Sequence, residues 1–284
     1  MEDSILNKVL PEEKISKYDG ILAHFYDLDH NWRDYNKQID LIKSLFSSQE
    51  LKKKIKILEL CCGSGTHTLF LSQAGFEVLG VDHSLELIRQ AKIKSEKEKV
   101  FPLFKQGDIF SLQDDPNFYH HFDCVLLLGW TLSIQSLYER FTKILELANF
   151  VLKEKGFFIF DIILDKNFNP NSTQPLVYET QDGMRGTLQI RSKENTAKRT
   201  MDFEYQWKID KGDGSGEQFF SVNEALAIVE REDVLLKVSS FKDQFEILHE
   251  LSGYSLNTIH KKGDKNLVMV LRKTLSSDVL SETA

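Results

Sequence analysis

Residues 57–68 read ILELCCGSGTHT. An apolar run stops at Cys61 and Cys62, Gly63 and Gly65 frame Ser64, and Thr66 opens a stretch fit for a helix. Three chemistries compete for such a turn: a metal or redox site on the cysteines, a phosphate loop, or the glycine bed of another ligand in an α/β fold. The flanking residues decide among them.

The cysteine readings fail first. Cys61 and Cys62 are adjacent, so an extended backbone points their side chains to opposite faces and they do not pair. Zinc needs ligands at spacings such as C-x-x-C, and the chain has 3 cysteines with no such pair. No metal is expected.

Composition bounds the rest. At 284 residues the chain can form one large domain, or one and a half, with a sizeable core. Hydrophobic residues at 41% and charged residues at 28% are those of a globular protein. Lys+Arg 36 against Asp+Glu 43 leaves a net charge of −7, which argues against a nonspecific nucleic-acid binder. The acidic N-terminus, MEDSILNKVLPEEK, lacks the build of a signal peptide. The longest apolar run, around Cys124 to Leu128, suits a buried strand rather than a membrane span. The cytoplasm is the expected location.

Periodicity extends the fold outward from the turn. Ile39, Ile42, Leu45 and Phe46 form a helical stripe in residues 33–47. A strand is expected from Ile55 to Leu60, a helix from Thr66 to Ala74 closed by Gly75, and a second strand from Phe76 to Val81 with Asp82 at its end. Ser84 is placed to N-cap the next helix. A third strand, Phe101 to Lys105, ends near Asp108, and a fourth, Phe122 to Leu128, ends at Gly129-Trp130. A long helix, Gln135 to Leu152, precedes a fifth strand, FFIFDII. Strands that are apolar throughout and alternate with helices predict a doubly wound α/β domain, its parallel sheet covered on both faces.

The pattern changes after Asp165. Residues Met184 to Ile209 alternate, with Met201, Phe203, Tyr205, Trp207 and Ile209 at period two, the mark of antiparallel strands with one covered face. An inserted antiparallel β cap is expected at residues 170–233, between core segments 51–169 and 234–284, with residues 1–50 as an N-terminal arm and helix over the ligand site. The core is expected to close with a helix, Phe241 to Leu251, and a hairpin of Tyr254–His260 with Leu267–Arg272.

Ligands of doubly wound sheets settle beyond the carboxyl ends of the strands. Gly63 and Gly65 let the backbone approach a ligand there. Asp82 stands where a carboxylate accepts both hydroxyls of a ribose. Asp108, with the backbone of Ile109, suits the exocyclic amine of adenine, and His83 is placed to flank that base. An adenosine fits these residues. A dinucleotide fingerprint would put a third glycine at Thr68, and the phosphate loop's lysine is missing. Glu59 would repel a pyrophosphate but attract a cation, so the charge pattern favours S-adenosylmethionine, with its ammonium and sulfonium.

The stretch ILELCCGSGTHTLFLSQAGFEVLGVDHS resembles motif I and its sequel in class I S-adenosylmethionine-dependent methyltransferases. KQGDIF with Asp108, FDCVLLLGWTLSIQ, and LKEKGFFIFDI as the fifth strand resemble the later motifs in order. The resemblance covers roughly residues 18–165, with a glycine usual in the family replaced by Cys61. FYDLDHNWRDY, His67 in GTHT and the antiparallel insert also resemble small-molecule N-methyltransferases acting on amino sugars and glycine-like amines. The resemblance implies that Glu59 holds the cofactor's ammonium in a bed that includes Cys61, Gly63 and Gly65. It places Leu128, Gly129 and Trp130 beside sulfonium and acceptor, and lays Tyr26 over cofactor and substrate. Trp130 and Tyr26 are thus the candidate catalytic residues.

The implied reaction yields S-adenosyl-L-homocysteine. No side chain reads as a confident general base, since His120 and His121 precede the fourth strand at the wrong end of the sheet. That favours an amine acceptor over a hydroxyl. An O-methyltransferase, a nucleic-acid methyltransferase and a non-catalytic S-adenosylmethionine-binding protein are the alternatives. The third would lack turnover; the second would often carry an Asn/Asp-Pro-Pro-aromatic motif where this chain reads Gly129-Trp-Thr-Leu. The aromatic stripe Phe203, Tyr205 and Trp207 reads as core or as the face of a homodimer.

Overall fold

The computed structural model describes residues 17, 18, 20–164 and 174–275. The acidic N-terminal stretch through residue 16 and the expected start of the cap, residues 170–173, lie outside them.

A 3-10 turn, Gly20–Phe25, leads into α1 (Tyr26–Asp29). Asp34 then N-caps α2 (Tyr35–Ser44) by accepting from the Lys37 N–H at 3.2 Å. The alternation that follows is β1 (Lys56–Leu60), α3 (Thr66–Gln73), β2 (Glu77–Asp82), α4 (Leu85–Glu98) and β3 (Leu103–Gln106). Ser84 caps α4 through its hydroxyl, as its position predicts. After β4 (Phe122–Leu127), the expected long helix is broken at Arg140 into α5 (Gln135–Glu139) and α6 (Phe141–Val151), and β5 runs Leu152–Ile163. The insert supplies β6 (Leu176–Glu179), β7 (Arg185–Asn195), β8 (Thr200–Asp210) and β9 (Glu217–Ala227). The chain closes with α7 (Arg231–Ser239), β10 (Phe245–Leu251) and β11 (Asn266–Lys273).

Two compact units result, one within Met1–Trp32 and Lys166–Ile228, the other within Arg33–Asp165 and Val229–Ala284. The second holds a seven-stranded sheet in the order β10-β11-β5-β4-β1-β2-β3. Its β3, β2, β1, β4 and β5 are parallel, and β11 runs antiparallel to β5. The strand order reverses between β1 and β4, so the turns after these two strands flank the switch point where such sheets bind ligands. This is the expected Rossmann-like architecture. The apolar face of α2 joins this unit, with Ile39 and Ile42 packed in one cluster with Ile57, Leu71 and Leu126.

The first unit is a four-stranded antiparallel sheet, β6-β7-β8-β9. The alternating run from Met184 to Ile209 is a hairpin of β7 and β8, turned at residues 196–199 with Arg199 at φ 52°. Phe203, Tyr205 and Trp207 are buried in this unit's own core with Leu22 and Phe25, so the stripe is core and not a subunit face. Gly186 is required there, because a Cβ would lie 2.6 Å from the Phe25 ring.

One expectation is overturned by the structure. The helix placed at Phe241–Leu251 is strand β10, the helix before it is α7, and the hairpin pairs β10 with β11 rather than Tyr254–His260 with Leu267–Arg272. The cause is a register shift between Ile247 and His249. A bulge breaks period two, and Phe241, Phe245, Leu248 and Leu251 then recur at helical spacing. Residues 254–260 form turns with a single bridge, Leu251 to Ile259.

Candidate functional site

The turn after β1 is built from left-handed backbone. Cys61, Gly63 and Gly65 have φ of 56°, 57° and 73°. Cys61 holds a conformation that costs a non-glycine residue roughly 1–2 kcal/mol, at the position where the resembling family has glycine. Gly65 answers to packing as well, since a Cβ there would lie 2.7 Å from both the Ala91 Cβ and the Phe104 ring. The turn is tied to β2 by the Cys62 N–H donating to Val81 O at 3.0 Å and the Gly63 N–H donating to Asp82 Oδ2 at 2.8 Å.

Three carboxylates surround this turn. Glu59, buried at 6% exposure, accepts from the Thr68 hydroxyl and meets His67 Nδ1 at 3.0 Å. Tyr35 stacks on the His67 ring at 5.8 Å, and the other ring nitrogen, Nε2, is buried with no hydrogen-bond partner among the described residues. Asp82 is also buried; its second oxygen accepts from the Ser84 N–H at 2.9 Å, and burial raises its pKa above the usual carboxylate range. Asp108 is exposed and caps the 3-10 helix Ile109–Asp114 through the Phe110 N–H at 3.0 Å. His83 is exposed beside it in sequence to Asp82, while Ile109 is buried. The Cys61 thiol is pushed up by burial first, then by Asp82, Asp108 and Glu59 together. Together these keep the thiol neutral.

The turn after β4 forms the other wall. Leu128 is buried, and Gly129 and Trp130 follow in left-handed conformations at φ 81° and 61°. Successive residues of this kind aim their N–H groups together. Both donate to Asp161, Gly129 at 3.0 Å and Trp130 at 2.6 Å, and the Tyr254 hydroxyl donates to the same carboxylate. Asp161 is fully buried, which raises its pKa against the lowering effect of these donors and of Arg33. Arg33 lies against Gly129, donating to its carbonyl at 3.3 Å, and a Cβ on Gly129 would lie 2.6 Å from the guanidinium.

Residues 57–156 match a family profile described as a methyltransferase domain. Over those residues the chain is similar to a methyltransferase domain, and the cofactor this likeness implies is S-adenosylmethionine. A methyltransferase-like protein of Geobacillus sp. (strain WCH70) is 28% identical over 144 residues, 49% of this chain and 55% of that protein. The demethylmenaquinone methyltransferase of Staphylococcus carnosus is 29% identical over 109 residues, 37% of this chain and 45% of that enzyme. The chain spans about half the length of the first two curated relatives it matches. Among solved structures, an S-adenosylmethionine-dependent methyltransferase from Clostridium acetobutylicum superposes with TM-score 0.67 at 22% identity, covering 89% of this chain and 98% of that one. The sugar N-methyltransferase KedS8 from Streptoalloteichus sp. gives 0.64 at 18%, covering 93% and 99%. At these identities the likeness to solved structures establishes the fold.

The residues around the two turns fit S-adenosylmethionine as a cofactor. Carboxylates around one turn suit a ligand with two positive centres and no phosphate, and a buried imidazole nitrogen with no partner among the described residues awaits one. Glu59 retains lone pairs beyond the two contacts it makes, and so does Asp82.

Sequence reasoning named Glu59, Asp82 and Asp108 but not the groups that fix them. Tyr254, which orders Asp161 across 93 positions, carries no local signal. Tyr26 belongs to the other unit, where it stacks on His30 at 4.3 Å. Among the described residues no helix is long and apolar enough to cross a membrane, and no cluster of metal-ligating side chains occurs.

Proposed function

We propose that this protein transfers a methyl group from S-adenosylmethionine to the amine nitrogen of a small-molecule acceptor. The bound sulfonium supplies the activated methyl group. Glu59 would hold the cofactor's ammonium, Asp82 its ribose, and Asp108 with Ile109 its adenine, flanked by His83. Cys61, Gly63, Gly65, Leu128 and Gly129 would complete the bed, and Trp130 would face the acceptor.

The observation that carries the amine reading is the state of Asp161. The carboxylate at the turn after β4 already accepts from three donors, so its lone pairs are committed to holding that turn. A neutral amine attacks without a general base once its proton is lost to water, whereas a hydroxyl needs one in reach. Catalysis would then rest on alignment and proximity. The described likeness to a sugar N-methyltransferase and the net charge of −7 support a small, non-nucleic-acid acceptor.

The test is a panel of small amines, phenols and carboxylates incubated with the purified protein and S-adenosylmethionine, with S-adenosylhomocysteine and methylated product read by mass spectrometry. Turnover on amines supports the proposal. Turnover confined to phenols or carboxylates overturns the acceptor class. Tight cofactor binding with no turnover on any acceptor would favour a binding protein.

A further inference from the structure

The inserted unit contains a cage of rings and carboxylates that the methyl-transfer reading leaves unused. At its centre is the ammonium of Lys17, 4.1 Å from the centroid of the Tyr205 ring and 5.1 Å from that of Tyr18. Asp29 Oδ2 lies 3.8 Å from this nitrogen and Glu224 Oε2 4.0 Å. The three charged side chains are mostly buried, at 17%, 15% and 20% exposure.

The carboxylates' closer partners are the tyrosines. Asp29 accepts from the Tyr18 hydroxyl and from the Tyr178 hydroxyl at 2.8 Å, and Glu224 accepts from the Tyr205 hydroxyl at 3.4 Å. Burial and these carboxylates push the Tyr18 and Tyr205 hydroxyls up, so both rings stay neutral with their π faces intact. Burial works to raise Asp29, but the Lys17 ammonium and the tyrosine hydroxyls outweigh it and the pKa is lowered, so Asp29 stays charged.

A lysine ammonium normally donates hydrogen bonds of about 2.7–3.2 Å. Here it meets its carboxylates at 3.8 and 4.0 Å, held by charge and ring faces. These are the contacts of a cation held without close hydrogen bonds to its carboxylates, and methylated ammonium groups are the cations that aromatic cages recognise. We propose that this cage is a binding site for a small N-methylated ammonium compound, and that Lys17 occupies it as an internal competitor. The argument uses residues of the unit that holds the antiparallel sheet, Lys17, Tyr18 and Asp29 from its N-terminal segment included, and does not rest on the proposed methyl acceptor.

The experiment uses the full chain and tetramethylammonium as the probe, with titration calorimetry or intrinsic fluorescence as the readout. Lys17→Met, which keeps the alkyl stem and removes the charge, is expected to bind the probe at least tenfold more tightly than the unmodified protein. Adding Tyr205→Leu is expected to reverse that gain. Equal affinity with and without Lys17, or no effect of Tyr205→Leu, overturns the proposal, and so does tighter binding of plain ammonium than of tetramethylammonium. A measurement on the unmodified protein decides the matter if Lys17→Met does not fold. Tetramethylammonium should raise the acylation rate of Lys17 by an amine-reactive reagent several-fold over sodium chloride at equal ionic strength, and equal rates would overturn it.

Discussion

Asp161→Asn tests the wall of the site with a change of one atom. The carboxylate accepts from two backbone N–H groups, at 3.0 and 2.6 Å, and from the Tyr254 hydroxyl. Hydrogen bonds to a charged acceptor are worth about 1.5–3 kcal/mol and neutral ones about 1 kcal/mol. An asparagine offers one accepting oxygen and turns an NH2 toward at least one donor, which leaves that donor unmet at a cost of about 1–3 kcal/mol. Arg33 also loses its nearby counter-charge. Against this stands the relief of a fully buried charge, the effect that raises the pKa of Asp161 in the first place.

With the losses larger than the relief, the variant should be about 2 kcal/mol less stable, which lowers the melting temperature by roughly 4–8 °C in a domain of this size class. A raised carboxylate pKa contributes stability that is present below the unfolded value and lost as pH rises through the folded one. The amide does not titrate, so the native protein gains on it as pH falls, and the gap between the two should widen toward acid. Thermal unfolding of both proteins at neutral and acidic pH reads it directly. A variant as stable as the native protein at neutral pH would show that burial of the charge dominates, and the reasoning about the turn would fail.

Three further outcomes are expected. Gly65→Ala places a methyl 2.7 Å from Ala91 and Phe104 at a left-handed φ, and should destabilise the fold by about 3 kcal/mol in denaturant titrations; a loss under about 1 kcal/mol would mean the helix and strand part easily. Glu59→Gln should weaken S-adenosylhomocysteine binding at least tenfold, about 1.4 kcal/mol by calorimetry, and affinity within twofold of native would remove Glu59 from the ammonium's contacts. His120 has its pKa lowered by burial and by Lys273, so its contribution is present above the ordinary imidazole pKa and lost as pH falls through the lowered value. His120→Asn should accordingly flatten the fall in melting temperature below neutral pH, and an unchanged acid limb would sink that assignment.

What could be read from the sequence follows from the physics of each element. Ile57 to Leu60 and Cys124 to Leu127 are legible as parallel strands because both faces are covered and every position but Glu59 is apolar. The carboxylates at strand tips are legible because chain spacing alone puts Asp82 and Asp108 there. The β10 strand is not, since its bulge imitates a helical stripe. Nor is the engagement of Asp161, whose partners Trp130 and Tyr254 stand 31 and 93 positions away. Asp82 and Asp108 also accept backbone N–H groups, a second duty that no pattern of residue types announces.

The inserted sheet takes part of its core, Leu22 and Phe25, from chain laid down well before β6. On the ribosome that early piece must wait, its apolar side chains without their partners, until the whole of β1 through β5 has been made and the insert has emerged. Closing so long an intervening loop adds little entropy beyond a shorter one, so the delay is one of time rather than stability. Excising the insert as a continuous block would strand Leu22 and Phe25 in water, and any attempt to exchange it between relatives has to carry the residues around them as well.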